Sequence, residues 1–369
     1  MLDDFSTQIG NEILRLTNND YRKLNEMLAF AINKHYNSRI QQKIRSNLAK
    51  HKHRLPNFDV KNFTFSNSQE LVSPNDILIE HRGSTINFAC RDDVFSSKYP
   101  YAYGYLKDRS ATFLFYVALA GDVAKHLVCD TSDGNNLSMA DIRFSSPLAK
   151  DGLLPDAFFF ESEGYQHQRD LYANNAVPWT KRSDKIVWRG GLNGEGLRLC
   201  DEQLISNGAV HQRARMAFAC KGTDIDFKFA NAGHESRVLS AQGLMGERID
   251  TTSWLQRKFA IDVDGYSNAW DNLFHRLLFG CCVLKVESQA GFRQWYYDKL
   301  VPFEHYVPIK ADLSDLHEQA DWVQSNPKEA ERIAAAGCRL AHSMTFESEA
   351  DYAVREIQRV CEAKNAVSH

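Results

Sequence analysis

The sequence predicts an α/β protein: two Rossmann-like domains facing a cleft, preceded by a helical N-terminal extension. Three observations carry this. The chain has 369 residues, more than one ordinary hydrophobic core accommodates. Short apolar runs bounded by polar turns alternate with helical patterns in two blocks. The run from Lys258 to Val286 passes from an apolar strand through a glycine-containing turn into a helix and then a second buried strand. That order presents backbone N–H groups to an anion at the head of the helix.

Residues 1–55 read as the helical extension, acidic and amphipathic at first (MLDDFSTQIGNEILRL) and basic later (KHYNSRIQQKIRSNLAKHKHR). The basic stretch is expected to be a solvated helix face; the alternative is contact with an acidic acceptor or a membrane surface. Residues 56–180 make the first domain, with strands and a helix expected from ILIE, TINFAC, ATFLFYVALAG and HLVCD, and a further strand at AFFF. The polar, aromatic stretch 165–184 lacks periodicity and reads as a linker or cleft-lining segment.

Residues 181–345 make the second domain. KIVW is a strand, the glycines of WRGGLNGEG a turn, and LRLCDEQLISNG a helix ended by Gly208. In the next helix Trp270, Leu273, Phe274, Leu277 and Leu278 form one apolar stripe, with Asp271, His275 and Arg276 facing away. A helix follows from Leu313 to Ser325. Asn326-Pro327-Lys328-Glu329 then opens another: Asn as cap, Pro at the first helical position, Glu329 returning a hydrogen bond. Residues 346–369 carry a last helix, expected to pack back on the first domain.

Composition excludes several classes. A formal net charge of -3 gives no polyanion-binding surface, so no nucleic-acid partner is expected. No apolar run reaches the ~18 residues of a membrane span, and the N-terminus lacks the basic start and apolar core of a signal peptide. The eight cysteines are scattered without zinc spacing, mostly in apolar runs, which reads as a reducing, cytoplasmic protein. No His/Cys cluster has metal-ligand spacing, and no metal is expected.

Four pieces in order resemble the family 90 glycosyltransferases, the group of capsule-associated, lipopolysaccharide-modifying and Rumi-like O-glucosyltransferases. They are TSDG near Asp133, WRGGLNGEGLR at Trp188–Arg198, the Asp264–Val286 segment, and WYYDKLVPFEHYVPIKADLSDL at Trp295–Leu316; PKEAERIAAAG extends the match. The long block ending in KADLSDL is the most specific of these. The resemblance implies a GT-B fold and inverting transfer from a UDP-sugar with no cofactor and no essential metal. Glucose or xylose is the implied sugar. The expected acceptor is a cell-surface glycan or glycolipid, such as lipopolysaccharide core or capsule precursor, modified on the cytoplasmic side at the inner face of the membrane. The alternative is a non-catalytic glycan- or nucleotide-binding protein that kept the fold.

An inverting transfer needs a base for the acceptor hydroxyl. Pattern alone reads Asp133-Gly134 first as a turn pair; the resemblance puts the family's base at Asp133, with Asp130 as runner-up. A diphosphate leaving group needs N–H donors and cations. The turn Gly265, Tyr266, Ser267, Asn268, Ala269 and Trp270 is expected to supply N–H groups, with Ser267 and Asn268 donating or capping. The loop after KIVW is expected to add Arg189, Gly190, Gly191 and Arg198, with Arg189 binding directly or bracing the loop. Asp262-Val263-Asp264 fits a DxD metal motif, but Asp264 is expected to cap the turn instead. The chain departs from the family in one respect: the turn is two residues longer and lacks the Arg found near Asp271 or Leu273 in many members. Arg198, Arg276 and Lys285 are the residues able to compensate. Trp295, Tyr296 and Tyr297 read as stacking or core residues, and His305 as structural.

Overall fold

In the computed structural model the described residues are 21–55, 63–82, 85–95, 99, 101–134, 138–194, 196–198, 203 and 205–367. They fall into two compact units, the first within Met1–Ser132, Asn136–Ile142 and Ile357–His369, the second within Asp133–Asn135 and Arg143–Glu356. The first twenty residues of the expected N-terminal extension lie outside the described residues.

In the first unit, helix α1 (Tyr21–Lys50) turns Ile40, Ile44 and Leu48 inward at helical spacing. Lys34, Arg39, Arg45 and Lys50 stay exposed, so the basic stretch is a solvated face. It packs against α2 (Ala102–Ala120), whose second half is almost wholly buried. Strands β1 (Phe63–Asn67), β2 (Asp76–Arg82), β3 (Thr85–Cys90) and β4 (His126–Asp130) lie in the order β1-β3-β2-β4. β1 and β3 are parallel, and β4 continues parallel to β5 (Ile142–Arg143) through Cys129 and Ile142. β2 runs antiparallel to both neighbours, unlike a purely parallel Rossmann sheet. The reason is local: only two residues separate Arg82 from Thr85, too few for the crossover that a parallel pair requires.

β6 (Gly152–Leu153) lies in the second unit. The strand expected at AFFF is instead a short helix, α3 (Ala157–Glu161), because the Asp156 carboxylate accepts the Phe159 N–H at 2.9 Å. The stretch expected to be a linker or cleft-lining segment is in part helical. Residues Gln166–Asn175 form α4, which Arg169 ties down by donating to the carbonyls of Gly164, Ala341, His342 and Met344 at 2.7–3.2 Å. Arg182 donates in the same way to Val177, Phe279 and Gly280. Contacts of this kind join segments far apart in sequence and leave no periodicity to read.

Five parallel strands make the second sheet: β7 (Ser183–Gly191), β8 (Asp226–Asn231), β9 (Arg257–Asp262), β10 (Cys282–Val286) and β11 (Val307–Ile309). Helices α5 (Gln212–Ala219), α6 (Ser236–Ala241) and α7 (Asp271–Leu278) fall within the β7–β8, β8–β9 and β9–β10 connections. α8 (Leu316–Ser325) and α9 (Pro327–Ser343) follow. The core joins the strands to α5, α8 and α9. Of the helix expected at 197–208, Leu197 instead bridges Val210, Gln203 lies in a 3-10 turn, and residues 205–206 and 208–209 are turns. Residues 199–202 and 204 of that expectation lie outside the described residues. Pro327 does open α9, but the Asn326 side chain donates back to Trp322 O and Glu329 pairs with Arg332, so no capping box forms. The last helix, α10 (Phe346–Val367), begins within the second unit and ends within the first. Among the described residues no helix is long and apolar enough to cross a membrane.

Arg169 donates to four backbone carbonyls. Arg169→Met is therefore expected to lower stability by roughly 3 kcal/mol, read as a fall of several degrees in melting temperature.

Candidate functional site

The second sheet has the order β11-β10-β9-β7-β8. The chain lays β8 on one side of β7 and β9, β10 and β11 on the other. The loops leaving the C-terminal ends of β7 and β9 therefore diverge, and a crevice opens between them at the point where doubly wound sheets bind ligands. These are the two segments singled out from the sequence.

In the β7 loop Arg189 is a brace. It donates to the Asp226 carboxylate (2.8 Å), the backbone carbonyls of Trp188 (2.7 Å) and Asp226 (2.9 Å), and Glu247 O (3.2 Å). Gly190 has a steric reason: a Cβ there would lie 2.4 Å from the Trp188 indole. A Cβ on Gly191 would lie 3.0 Å from Asn193 Oδ1. Arg198 is exposed and sits 3.9 Å from Glu235.

The β9 loop starts from a buried carboxylate. Asp262 accepts from Asn272 Nδ2 at 3.0 Å and faces Lys285 Nζ at 3.6 Å, while Lys285 also lies 4.5 Å over the Tyr297 ring. Lys285 is thus held in the strand layer. Asp264 does not cap the turn: both its oxygens are buried without a partner in hydrogen-bonding geometry. Burial outweighs the nearby Lys285 charge and Ser288 hydroxyl and raises its pKa to about 6. The turn is closed by the Gly265 N–H on Asn268 O at 3.4 Å. Tyr266 is exposed, Ala269 and Trp270 half-buried, and Ser267 and Asn268 buried. Neither Ser267 nor Asn268 caps α7; Ser267 Oγ and Asn268 Oδ1 are left unpartnered because both side chains turn inward. Trp270 precedes α7 at φ 50° and ψ -119°, a backbone region that suits glycine. Its ring packs edge-on to Phe158, 5.9 Å between centroids.

Two residues missed from the sequence join these loops. Arg213, in the first turn of α5, donates to Gly191 O (2.9 Å) and Asn193 Oδ1 (2.6 Å) on one side and to Val263 O (3.0 Å) on the other. Burial pushes its pKa down to about 10, so it stays cationic at neutral pH. His211 caps α5 by accepting the Arg213 N–H at Nδ1, which leaves Nε2 as its N–H donor. Burial holds His211 near a pKa of about 4, hence neutral. A signal existed: HQRAR puts cations and no acid at a helix N-terminus, against the helix dipole. Gly194 closes the junction, since a Cβ there would lie 2.4 Å from His211 Nε2 and 2.6 Å from Gly265 O.

Two cavities flank this junction. The larger, ≈ 1010 Å³, is lined in part by Gly190, Gly191, the four arginines Arg189, Arg198, Arg248 and Arg276, and the two acids Asp250 and Asp271. Arg276 bears on the missing turn Arg. It is buried in α7, stacks 3.6 Å over the Trp254 ring, and donates from Nη2 to Asn272 Oδ1 at 2.8 Å. Its Nε has no partner. Its neighbour His275 is held neutral by burial, with a pKa of about 3. The smaller cavity, 130 Å³, lies on the other side, against Asp264–Ser267, His211 and Gln212.

Asp133 also belongs to the second unit and is 9% exposed. The turn is tight: a Cβ on Gly134 would lie 2.2 Å from Ser145 O. Asp130, the runner-up, closes β4 in the first unit and accepts the Ser132 N–H at 2.8 Å. Trp295 and Tyr296 are core residues packed on Phe274, and His305 accepts the Val301 N–H. Among the described residues no group of three or more His, Cys, Asp or Glu could hold a metal ion.

A parallel α/β unit with glycine loops and arginines at its switch point has the arrangement at which doubly wound sheets take ligands. The model of the glycosyl transferase family 90 matches residues 165–362, and the chain belongs to that family. It is similar to protein O-glucosyltransferase 2 of Danio rerio, 32% identical over 166 residues, which are 45% of this chain and 30% of that protein. It is also similar to protein O-glucosyltransferase 3 of Rattus norvegicus, 41% identical over 87 residues, 24% of this chain and 16% of that protein. Uncharacterized protein 179R of Invertebrate iridescent virus 6 is 26% identical over 221 residues, 54% of this chain and 18% of that protein. The chain thus spans less than a third of the length of each of these relatives.

Asp264 gives a pH prediction. Its folded pKa of about 6 exceeds its ordinary 3.8, so the folded state holds the extra proton in between and stability falls as pH rises through that window. Asp264→Asn removes the dependence. Its melting temperature relative to wild type should be higher at pH 7.5 than at pH 4.5, by an amount corresponding to at most roughly 3 kcal/mol.

Proposed function

We propose that the protein is an inverting glycosyltransferase that moves a sugar from a UDP-sugar to a hydroxyl of a cell-surface glycan, such as lipopolysaccharide core or capsule precursor. The arginine-lined cavity at the switch point, in a chain of family 90, is the observation that carries this reading. In the reaction, Asp133 takes the proton of the acceptor hydroxyl as its oxygen bonds to the anomeric carbon. The bond from that carbon to the diphosphate breaks, and UDP leaves. Arg198, Arg276 and the N–H groups of Tyr266–Trp270 stabilise the charge on the departing diphosphate. Gly190 and Gly191 let it approach the backbone, and Arg189 braces their loop. No divalent ion is needed, because the arginines supply the charge. Arg276 takes the place of the missing turn Arg, which supports an enzyme over a non-catalytic binding protein.

The relatives' names favour glucose as the sugar. They also favour a second reading of the acceptor, a hydroxyl on a protein. The exposed basic face of α1 suits peripheral contact with an anionic membrane surface on the cytoplasmic side.

UDP should raise the melting temperature, and the shift should survive EDTA. No shift with UDP or any other nucleoside diphosphate would remove the donor assignment. Asp133→Asn should keep UDP affinity and lose on the order of 10²–10⁴-fold in transfer; full activity would move the base to Asp130. Arg276→Met and Arg198→Ala should each weaken UDP binding by roughly tenfold or more in calorimetry.

A further inference from the structure

A groove of ≈ 920 Å³ lies wholly within the first unit, between α1 and β1. Its size is that of a ligand site. The helix wall is Lys34, Asn37, Ser38, Gln41, Gln42 and Arg45. These positions recur every three or four residues, so they form one stripe along α1. From Lys34 to Arg45 the stripe rises about 16 Å along the helix. The strand wall is Phe65 and Asn67, alternate residues that share one face of β1. Thr64 and Ser66, on the other face, donate to the Asn87 side chain of β3 instead.

The chemistry of the walls is one-sided. Of the eight lining residues four are amides, one is a hydroxyl, two are cations and one is an aromatic ring; none is acidic. Residues 27–58 hold seven Lys and Arg and no Asp or Glu, in a chain of net charge -3. The groove thus sits in the basic part of an acidic chain and draws anionic groups. Each amide both donates and accepts, which matches a hydroxyl that does the same. A bare anion would use only the donors. Lys34 and Arg45, at the two ends of the stripe, suit carboxylate and phosphate groups alike. Phe65 is half-buried against Phe88, 5.3 Å between ring centroids, and offers an apolar surface to the C–H face of a sugar ring.

We infer that this groove binds an acidic oligosaccharide, laid along α1 with its hydroxyls on the amides and its anionic groups on Lys34 and Arg45. Its residues hold the acceptor chain and take no part in the transfer step. The inference rests on the glycan-acceptor reading above, which favours a saccharide over another acidic chain.

Calorimetric titration of the whole chain, without donor, compares hexagalacturonate, phosphorylated maltohexaose, plain maltohexaose and hexaglutamate. Wild type should bind at least one of the two acidic saccharides about fivefold or more tightly than maltohexaose or hexaglutamate. Which of the two binds better tells carboxylate from phosphate. Lys34→Gln combined with Arg45→Gln should erase the preference over maltohexaose. Lys50→Gln combined with Lys52→Gln makes the same charge change outside the groove and should leave the preference intact. Gln41→Ala combined with Gln42→Ala should weaken all three saccharides. The substituted side chains are exposed or half-buried, and melting curves check that each variant is folded. No binding of either acidic saccharide, equal affinity for hexaglutamate, or equal losses in the two charge variants overturns the inference. The titration needs neither donor nor turnover, so those results leave the transferase reading standing. Binding as expected in a chain that fails to bind UDP upholds the groove and removes only the donor reading.

Discussion

The guanidinium of Arg213 holds together the ends of β7 and β9. Its donors reach Gly191 O, Asn193 Oδ1 and Val263 O, so one side chain fixes both loops of the switch point. Other local features follow from it. Its guanidinium lies 5.4 Å over the Trp188 ring, and Trp188 can lie there only because Gly190 has no Cβ. Gly194 and Gly265 touch backbone to backbone beside it. A buried cation loses hydration, which is why its pKa is depressed; carbonyl dipoles and the charges of Asp264 and Asp262 offset that loss. Lysine, a point charge without the planar fork, would not reach acceptors on both sides.

Around that clamp buried polar and charged groups are linked in a chain. Arg276 reaches Asn272, Asn272 reaches Asp262, and Asp262 faces Lys285, a relay that fixes cation and anion in alternate places. On one side lies a cavity with four arginines and two aspartates, on the other a smaller one against Asp264, whose pKa burial raises to about 6. Since α7 buries Leu273, Phe274, Leu277 and Leu278 and also His275 and Arg276, neither side of the relay can move far. Arg276, one helical turn into α7, lines the larger cavity, and the chain bends sharply at Trp270 to begin that helix.

Much of the second unit was legible in the sequence. β7, β9, β10, α7, α8, α9 and α10 follow from apolar periodicity and from proline at a helix start, because those depend on neighbours along the chain. The errors share a cause. AFFF reads as a strand until Asp156 is seen to cap it as a helix, and 165–184 reads as a linker until Arg169 and Arg182 are seen on distant carbonyls. Expected caps at Asp264, Ser267, Asn268 and Asn326 failed because those side chains turned to other surroundings. In the first unit the antiparallel β2 was implicit in the short spacing between Arg82 and Thr85.

The sequence by itself determined the α/β class, the family, and which two loops carry glycines and basic residues, since these reside in local pattern and in the order of motifs. Only the tertiary structure decided which cation does what. Arg189 became a brace, Lys285 a partner of Asp262, Arg276 a lining residue of the arginine cavity, and Arg213 the clamp, because strand order sets which loops meet and burial sets which charges remain unpaired. The turn at Gly265–Trp270 is visible in one dimension; the two cavities beside it exist only once β7 and β9 lie side by side.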